Sequence, residues 1–149
     1  MDEIRPWLYI GKYRDTLDKY HLEFNSIKAV LQLADPVEQK GINFLFLVVE
    51  DMGETPHALI RQGVDFILEE KEKGNKVLVA CGAGINRSTV FCMAALKEVE
   101  GLSLLDAYKE IKKKHPDSLP NEPAWESFCS YYQESTPYLD LMRIYAKNN

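Results

Sequence analysis

A cysteine, five further residues and an arginine form the segment of this 149-residue chain best suited to chemistry. The segment runs from Cys81 to Arg87 and is followed by Ser88. Two glycines in it relax the backbone, so we expect successive N–H groups to point towards a single tetrahedral oxyanion. The expected phosphate-binding residues, besides Arg87, are Gly82, Ala83, Gly84, Ile85 and Asn86. The sequence therefore predicts a phosphate-binding loop that carries its own nucleophile.

The two ends of this loop supply the reactive groups. A cysteine beside a helix N-terminus and an arginine is expected to ionise readily, and the thiolate is the nucleophilic form. Arg87 presents a planar fork that matches two phosphoryl oxygens, which a lysine cannot do. The hydroxyl of Ser88 is placed to hydrogen-bond the sulfur when the sulfur leaves. These three residues together predict nucleophilic catalysis on a phosphate ester.

The ordinary interpretation of each feature is structural. A lone cysteine before a helix is usually a small buried apolar residue, and a Gly-x-Gly turn carries little information. It is the combination of a strand, Cys81, two glycines, Arg87 and Ser88 at the start of an apolar helix that favours an anion-binding loop.

The composition narrows the protein class. A net charge of −5 and a pI near 5.2 argue against a nucleic-acid partner, and 46% hydrophobic residues predict a substantial core. The length fits one domain over residues 1–149. Three cysteines, and no apolar signal segment after Met1, predict a cytoplasmic protein without a disulfide framework. No run approaches the roughly 18 apolar residues of a membrane span, and we expect a monomer.

Hydrophobic periodicity predicts strands early in the chain and helices later. We expect strands over 4–11 (at an edge, because of Pro6), 27–33, 42–49 (apolar on both faces, hence central) and 76–80. Helices are expected over 14–24, 57–73, from 87, and near 103–114, 122–133 and 137–147. This order predicts an α/β fold with a mostly parallel central sheet flanked by helices and a helical C-terminal half. Cys81 would then lie at the carboxyl edge of the sheet, where such folds bind ligands.

The segment from Cys81 to Ser88, CGAGINRS, resembles the signature loop of the cysteine-dependent protein phosphatases, and the chain is similar to their dual-specificity branch over nearly its whole length. The opening residues 7–11 resemble the first strand of that branch and residues 27–33 its next core strand. Pro120 and Asn121, with Trp125, resemble its Pro-Asn helix start.

This resemblance implies a mechanism without a metal or cofactor. Cys81 attacks phosphorus to give a cysteinyl-phosphate, while Arg87 and the loop N–H groups stabilise the equatorial oxygens. Asp51, 30 residues before Cys81, corresponds to the general acid of the family. Glu50 is the main rival for that role and Glu54 a weaker one. The alternative is that all three form a solvated, helix-capping acidic turn.

Two residues depart from the family pattern. Ala80 stands where the family usually has a histidine before the nucleophile, so either the thiolate is less strongly activated or the site has decayed to a phosphate-recognising binding site. Asn86 replaces a small residue and also occurs in related RNA 5′-triphosphatases, which leaves that activity as a lesser alternative. The expected substrate is a protein carrying phosphotyrosine, and also phosphoserine or phosphothreonine.

Overall fold

The computed structural model describes residues 1–147, which contain five strands and seven helices. The strands are β1 (Asp2–Arg5), β2 (Leu8–Lys12), β3 (Ile27–Gln32), β4 (Asn43–Phe46) and β5 (Lys76–Cys81). The helices are α1 (Tyr13–Thr16), α2 (Lys19–Phe24), α3 (His57–Glu72), α4 (Arg87–Glu100), α5 (Leu104–Lys114), α6 (Glu122–Tyr132) and α7 (Tyr138–Lys147).

The five strands form one sheet in the order β1-β2-β5-β3-β4. β5 pairs in parallel with β2 on one side and β3 on the other, β3 pairs in parallel with β4, and β1 is antiparallel to β2. The predicted α/β class with a mostly parallel sheet is confirmed. Because parallel strands end at the same edge, β5 delivers Cys81 next to the ends of β2 and β3.

The central strand β5 has two buried faces. Val77, Val79 and Cys81 belong to the larger apolar cluster, which also contains residues of α3 to α7. Leu78 and Ala80 belong to a smaller cluster on the other face, with Leu22 of α2. Alternation along a strand therefore places Ala80 and Cys81 on opposite faces of the sheet.

The later helices agree with the predictions to within one residue at each end. Ser103 is the N-cap of α5, and its side chain accepts a hydrogen bond from the N–H of Asp106. Asn121 is the N-cap of α6, and its side chain accepts from the N–H of Ala124. α4 ends at Gly101, whose φ of 72° is the left-handed conformation typical of a helix end. These capping residues are local signals, so the boundaries of the later helices could be predicted from the sequence.

Two of the early predictions are wrong. The segment 4–11 is not one strand, because Pro6 and Trp7 form a turn between β1 and β2. The segment 14–24 is not one helix, because Asp18 ends the first piece and caps α2 by accepting a hydrogen bond from the N–H of His21. The expected apolar face is turned to solvent: Tyr20 and Phe24 are 85% and 87% exposed.

The prediction of a central strand over 42–49 is also wrong. β4 ends at Phe46 and lies at the edge of the sheet. No residue of β4 is fully buried, and Phe44 is 39% exposed. In the extended segment after β4, Leu47 and Val49 lie in the core whereas Val48 is 74% exposed. Apolar side chains on both faces of a strand therefore did not mean that both faces were covered here.

The extent of the domain, residues 1–149, stays a prediction, and residues 148 and 149 lie outside the described part. The larger apolar cluster draws residues from Ile4 to Leu141. Within residues 1–147, none of the helices has the length and apolar character needed to cross a membrane.

Candidate active site

The loop between β5 and α4 is held in place by its carbonyl groups. The carbonyl of Gly82 accepts a hydrogen bond from the N–H of Tyr13, and that of Ile85 accepts from the N–H of Leu119 and the hydroxyl of Thr89. A trans peptide points its C=O and N–H in opposite directions, so each anchored carbonyl turns the next N–H away from its anchor. Within residues 1–147, the N–H groups of residues 82–86 donate to no protein group. The loop thus has the form of an anion nest.

Gly84 is required at its position. Its φ is 72°, and an added Cβ would lie 2.9 Å from the carbonyl oxygen of Gly11. At Gly82 an added Cβ would lie 3.2 Å from a terminal nitrogen of Arg87, the Nη2. The two predicted glycines therefore allow close approach of the loop to β2 and of the arginine to the loop.

The nucleophile candidate Cys81 is the last residue of β5 and is buried. Its Sγ lies 3.1 Å from the Oγ of Ser88, which is fully buried at the start of α4. A hydroxyl at this distance can donate a hydrogen bond to a thiolate. The structure therefore brings together the sulfur and the hydroxyl that the sequence suggested.

The guanidinium of Arg87 is oriented by the sheet edge. Its Nη1 donates to the carbonyl oxygens of Leu33 at 2.6 Å and Val49 at 3.1 Å, which lie just beyond β3 and β4. The Nε is buried and has no hydrogen-bond partner among the described residues. Since Nη1 is taken by carbonyls, the edge formed by Nε and Nη2 remains for two oxygens of an anion.

The acid candidate Asp51 lies in the loop between β4 and α3. Its Oδ1 is 3.4 Å from the Nε of Arg87, without the alignment of a hydrogen bond, and its side chain is 57% exposed. The side chain of Asn86 donates to the carbonyl oxygen of Asp51 at 2.6 Å and to its Oδ1 at 3.2 Å. Asn121 donates to the same carbonyl at 2.6 Å. Asp51 is therefore held beside Arg87.

A cavity of about 250 Å³, here called the Cys81 cleft, opens beside these groups. It is lined by Asp51, Met52, Cys81, Ala83, Ile85, Asn86, Leu119 and Asn121. Glu54 lines a different cavity, and the carboxylate of Glu50 folds back over Gly53, where an added Cβ would come within 2.7 Å of its Oε2. Of the three acidic candidates, Asp51 alone lines the Cys81 cleft in the described chain.

Sequence reasoning missed several groups that build this site. The carbonyls of Leu33 and Val49 carry no sequence signal, because every residue has a carbonyl. Asn121 lies at the predicted helix start, and its N–H also donates to the Oδ1 of Asn86 at 2.8 Å. Asn86 departs from the family pattern, but nothing in the sequence indicates its contact with Asp51.

The other two cysteines lie in the core rather than in the cleft. Cys92 is fully buried in α4, and burial, with a smaller effect of Cys81, raises the pKa of its thiol well above the ordinary value. Burial also raises the pKa of Cys129 to about 11. All three cysteines are free thiols. Neither Cys92 nor Cys129 has the properties of a reactive thiol.

The sequence model described as "Dual specificity phosphatase, catalytic domain" matches residues 8–134, which include the Cys81 cleft. This chain belongs to that family. The curated relatives reported below are dual specificity protein phosphatases. The resemblance to dual-specificity phosphatases, first indicated by the loop from Cys81 to Ser88, is confirmed.

Human dual specificity protein phosphatase 16 is 34% identical over 123 residues, covering 79% of this chain and 18% of the relative. The mouse dual specificity protein phosphatase 14 is 25% identical, covering 99% of this chain and 81% of the relative. The chain thus spans less than a fifth of the first relative and most of the second. The crystal structure of a human tyrosine phosphatase-like serine/threonine/tyrosine-interacting protein aligns with a TM-score of 0.82 at 25% identity, covering 89% of this chain and 95% of that one.

Proposed function

We propose that this chain hydrolyses phosphomonoesters of proteins, on tyrosine and also on serine or threonine, through a cysteinyl-phosphate intermediate. One observation carries the proposal: the sulfur of Cys81, the Nε edge of Arg87 and the carboxylate of Asp51 meet around one anion nest. This arrangement supplies a nucleophile, charge stabilisation and a proton donor, which are the three requirements of the reaction.

In the first step the thiolate of Cys81 attacks phosphorus opposite the ester oxygen. The S–P bond forms as the P–O bond to the leaving group breaks. Negative charge on the three equatorial oxygens is stabilised by the loop N–H groups and by the free edge of Arg87. These donors are held in place before the substrate binds, because the loop carbonyls and Nη1 of Arg87 are already anchored.

The leaving oxygen takes a proton from Asp51 in the same step. In the second step water attacks phosphorus, the carboxylate of Asp51 accepts a proton from that water, and the sulfur departs as a thiolate. The nearby hydroxyl of Ser88 stabilises the departing sulfur by a hydrogen bond. The free enzyme and inorganic phosphate result.

The rim of the Cys81 cleft bears on the substrate class. Met52 is 77% exposed and Ile85 is 38% exposed, so two apolar side chains stand at the opening. These side chains can pack against a phenyl ring or against the stem of a shorter side chain. This supports a site for phosphotyrosine that also admits phosphoserine and phosphothreonine.

The main alternative is a protein that recognises phosphate without turnover. Ala80 in place of histidine is the feature that favours it. The same fold is also found in a protein described as a tyrosine phosphatase-like interacting protein. The lesser alternative, an RNA 5′-triphosphatase, gains nothing from the relatives, which are protein phosphatases. A turnover assay separates these activities.

The test uses para-nitrophenyl phosphate and matched phosphopeptides, with a chelator and a reductant present. Turnover that Cys81→Ser abolishes and Cys129→Ser retains would support the proposal, because Cys129 lies outside the cleft. Trapping the phosphorylated enzyme by rapid acid quench would identify the intermediate. Phosphopeptide binding by both wild type and Cys81→Ser, without turnover in either, would favour the binding protein instead.

A further inference from the structure

His115 contacts the phosphate-binding loop from outside the Cys81 cleft. It follows α5, and its side chain is only 16% exposed. Its Nε2 lies 2.6 Å from the carbonyl oxygen of Gly84, and its Nδ1 lies 2.6 Å from Oδ2 of Asp2. The mechanism described above makes no use of this residue.

The two partners of the ring are both hydrogen-bond acceptors. A backbone carbonyl can only accept a hydrogen bond, and so can an ionised carboxylate. Both ring nitrogens of His115 must therefore carry protons for both contacts to be hydrogen bonds. An imidazolium can make both contacts as hydrogen bonds, whereas a neutral imidazole can keep only one of the two.

The contact with Gly84 bears directly on anion binding. Gly84 and Ile85 share one planar peptide, so a carbonyl fixed towards His115 fixes the N–H of Ile85 in the opposite direction. Ile85 lines the Cys81 cleft. The neighbouring Leu119, on the same segment as His115, holds the carbonyl of Ile85 in turn. The segment after α5 thus orients two successive peptides of the loop.

We propose that His115, which bridges Asp2 and the carbonyl of Gly84, is a positioning residue that aims the N–H of Ile85 at the bound oxyanion. This inference rests on the proposed function, since it takes the loop to be the anion site. Loss of the proton frees the Gly84 peptide or breaks the contact with Asp2. Oxyanion binding then weakens, whereas the nucleophile stays in place.

The charged groups that share a cavity with the ring come from several elements. They are the amino group of Met1, Asp2 of β1, Lys12 of β2, Asp15 of α1 and Asp117 after α5. An imidazole ordinarily changes charge between about pH 5 and pH 8, and an α-amino group such as that of Met1 does so near the top of this range. The signature to seek is therefore a pH dependence that His115→Gln removes.

Sulfate is a suitable probe, since it is a tetrahedral dianion throughout this range. In a Cys81→Ser background, which removes both turnover and the titrating thiol, sulfate binding is measured by calorimetry from pH 5 to pH 8.5. We expect affinity to fall about three- to tenfold as pH rises, as for the loss of one charge-assisted hydrogen bond. Adding His115→Gln should give weak binding at every pH. Adding His57→Gln, a matched change at an exposed histidine, should leave the profile unchanged.

Asp2→Asn provides a second test without altering the ring. Without the carboxylate the ring loses its charged partner and is held less firmly, so sulfate affinity at low pH should fall towards that of His115→Gln. A sulfate affinity that is independent of pH with His115 intact would overturn the proposal. The proposal would also be overturned if sulfate binding had the same pH dependence with and without His115→Gln. Thermal unfolding of each variant does not alter this criterion, because it compares the shapes of the two pH profiles.

Turnover measurements distinguish a failure of this inference from a failure of the proposed function. With an otherwise intact enzyme, His115→Gln should raise KM for para-nitrophenyl phosphate more than it lowers kcat. If Cys81→Ser retained turnover, the proposed function would fail irrespective of His115. If Cys81→Ser abolished turnover while His115→Gln left KM and its pH profile unchanged, only the positioning inference would fail.

Discussion

Asn86 and Asp51 are joined by two hydrogen bonds, from the side-chain amide of Asn86 to the backbone carbonyl and to the carboxylate of Asp51. The phosphate-binding loop therefore holds the acid-bearing loop directly. In the proposed mechanism, anion binding and proton donation are therefore linked through the side chain of Asn86, which is itself nearly buried.

Replacing Asn86 with alanine should loosen the Asp51 loop. We expect kcat for alkyl phosphates, which need a proton donor, to fall about three- to tenfold, the effect of losing one or two hydrogen bonds. Aryl phosphates with good leaving groups should lose less, because their leaving oxygens need little protonation. Steady-state kinetics over a series of leaving groups measures this. Equal losses across the series would mean that Asn86 acts on anion binding alone.

Replacing Asp51 with asparagine should lower kcat for poor leaving groups by about 10²- to 10⁴-fold, the usual contribution of general acid catalysis. The limb of the pH profile that reports the protonated acid should disappear. Glu50→Gln and Glu54→Gln are the matched controls, since neither side chain lines the Cys81 cleft. If Glu50→Gln produced the loss and Asp51→Asn did not, the assignment would pass to Glu50.

Replacing Ser88 with alanine should slow the breakdown of the cysteinyl-phosphate about tenfold, because the leaving thiolate loses its hydrogen bond. Formation of the intermediate should change less. A pre-steady-state burst of para-nitrophenol, larger relative to the steady rate than in wild type, is the expected observation. Thr89→Ser, one residue further on, serves as a control of similar size that keeps a hydroxyl. An unchanged burst in Ser88→Ala would exclude Ser88 from the second step.

Replacing Ala80 with histidine should destabilise the protein rather than simply restore the family pattern. Ala80 is 2% exposed and packs in the smaller apolar cluster with Leu22, Val30 and Leu78. Overfilling such a site costs about 1–3 kcal/mol. Urea unfolding measures the loss, with Ala80→Ser as a small polar control. A histidine variant as stable as wild type would show that the cluster has room for the ring.

Glu70 gives a prediction for acid stability. Burial raises the pKa of this carboxyl, but hydrogen bonds from Asn43, Lys73 and Asn75 outweigh burial and lower it below the ordinary value. The stabilisation is therefore present above the pKa of the unfolded state and is lost as pH falls through the lower folded pKa.

Glu70→Gln should accordingly lose about 1–3 kcal/mol of unfolding free energy at neutral pH and show a shallower decline in acid. Urea unfolding at a series of pH values is the measurement. Glu69→Gln, its exposed neighbour, is the control. A parallel pH dependence in wild type and Glu70→Gln would rule out the assigned cause.

The parts of the fold that could be predicted are those with local causes. The loop from Cys81 to Arg87, the capped helices α5 and α6, and the mostly parallel sheet all follow from residue types at fixed spacing. The contacts that position Asp51 could not be predicted in the same way, because they join residues 35 and 70 positions apart. The wrong prediction for β4 has a related cause: whether an apolar face is covered depends on which element packs against it, and sequence periodicity does not report that.

The anchoring of Arg87 to Leu33 and Val49 also bears on how the protein is made. These contacts join residues 54 and 38 positions apart, so they are of high sequence separation and are expected to form late in folding. A chain in which the sheet edge has not assembled has no means of orienting the guanidinium over the loop. In the proposed mechanism, the thiol of Cys81 therefore gains its complete surroundings only when the tertiary structure is formed, and a partly folded chain should neither bind oxyanions nor hydrolyse phosphate esters.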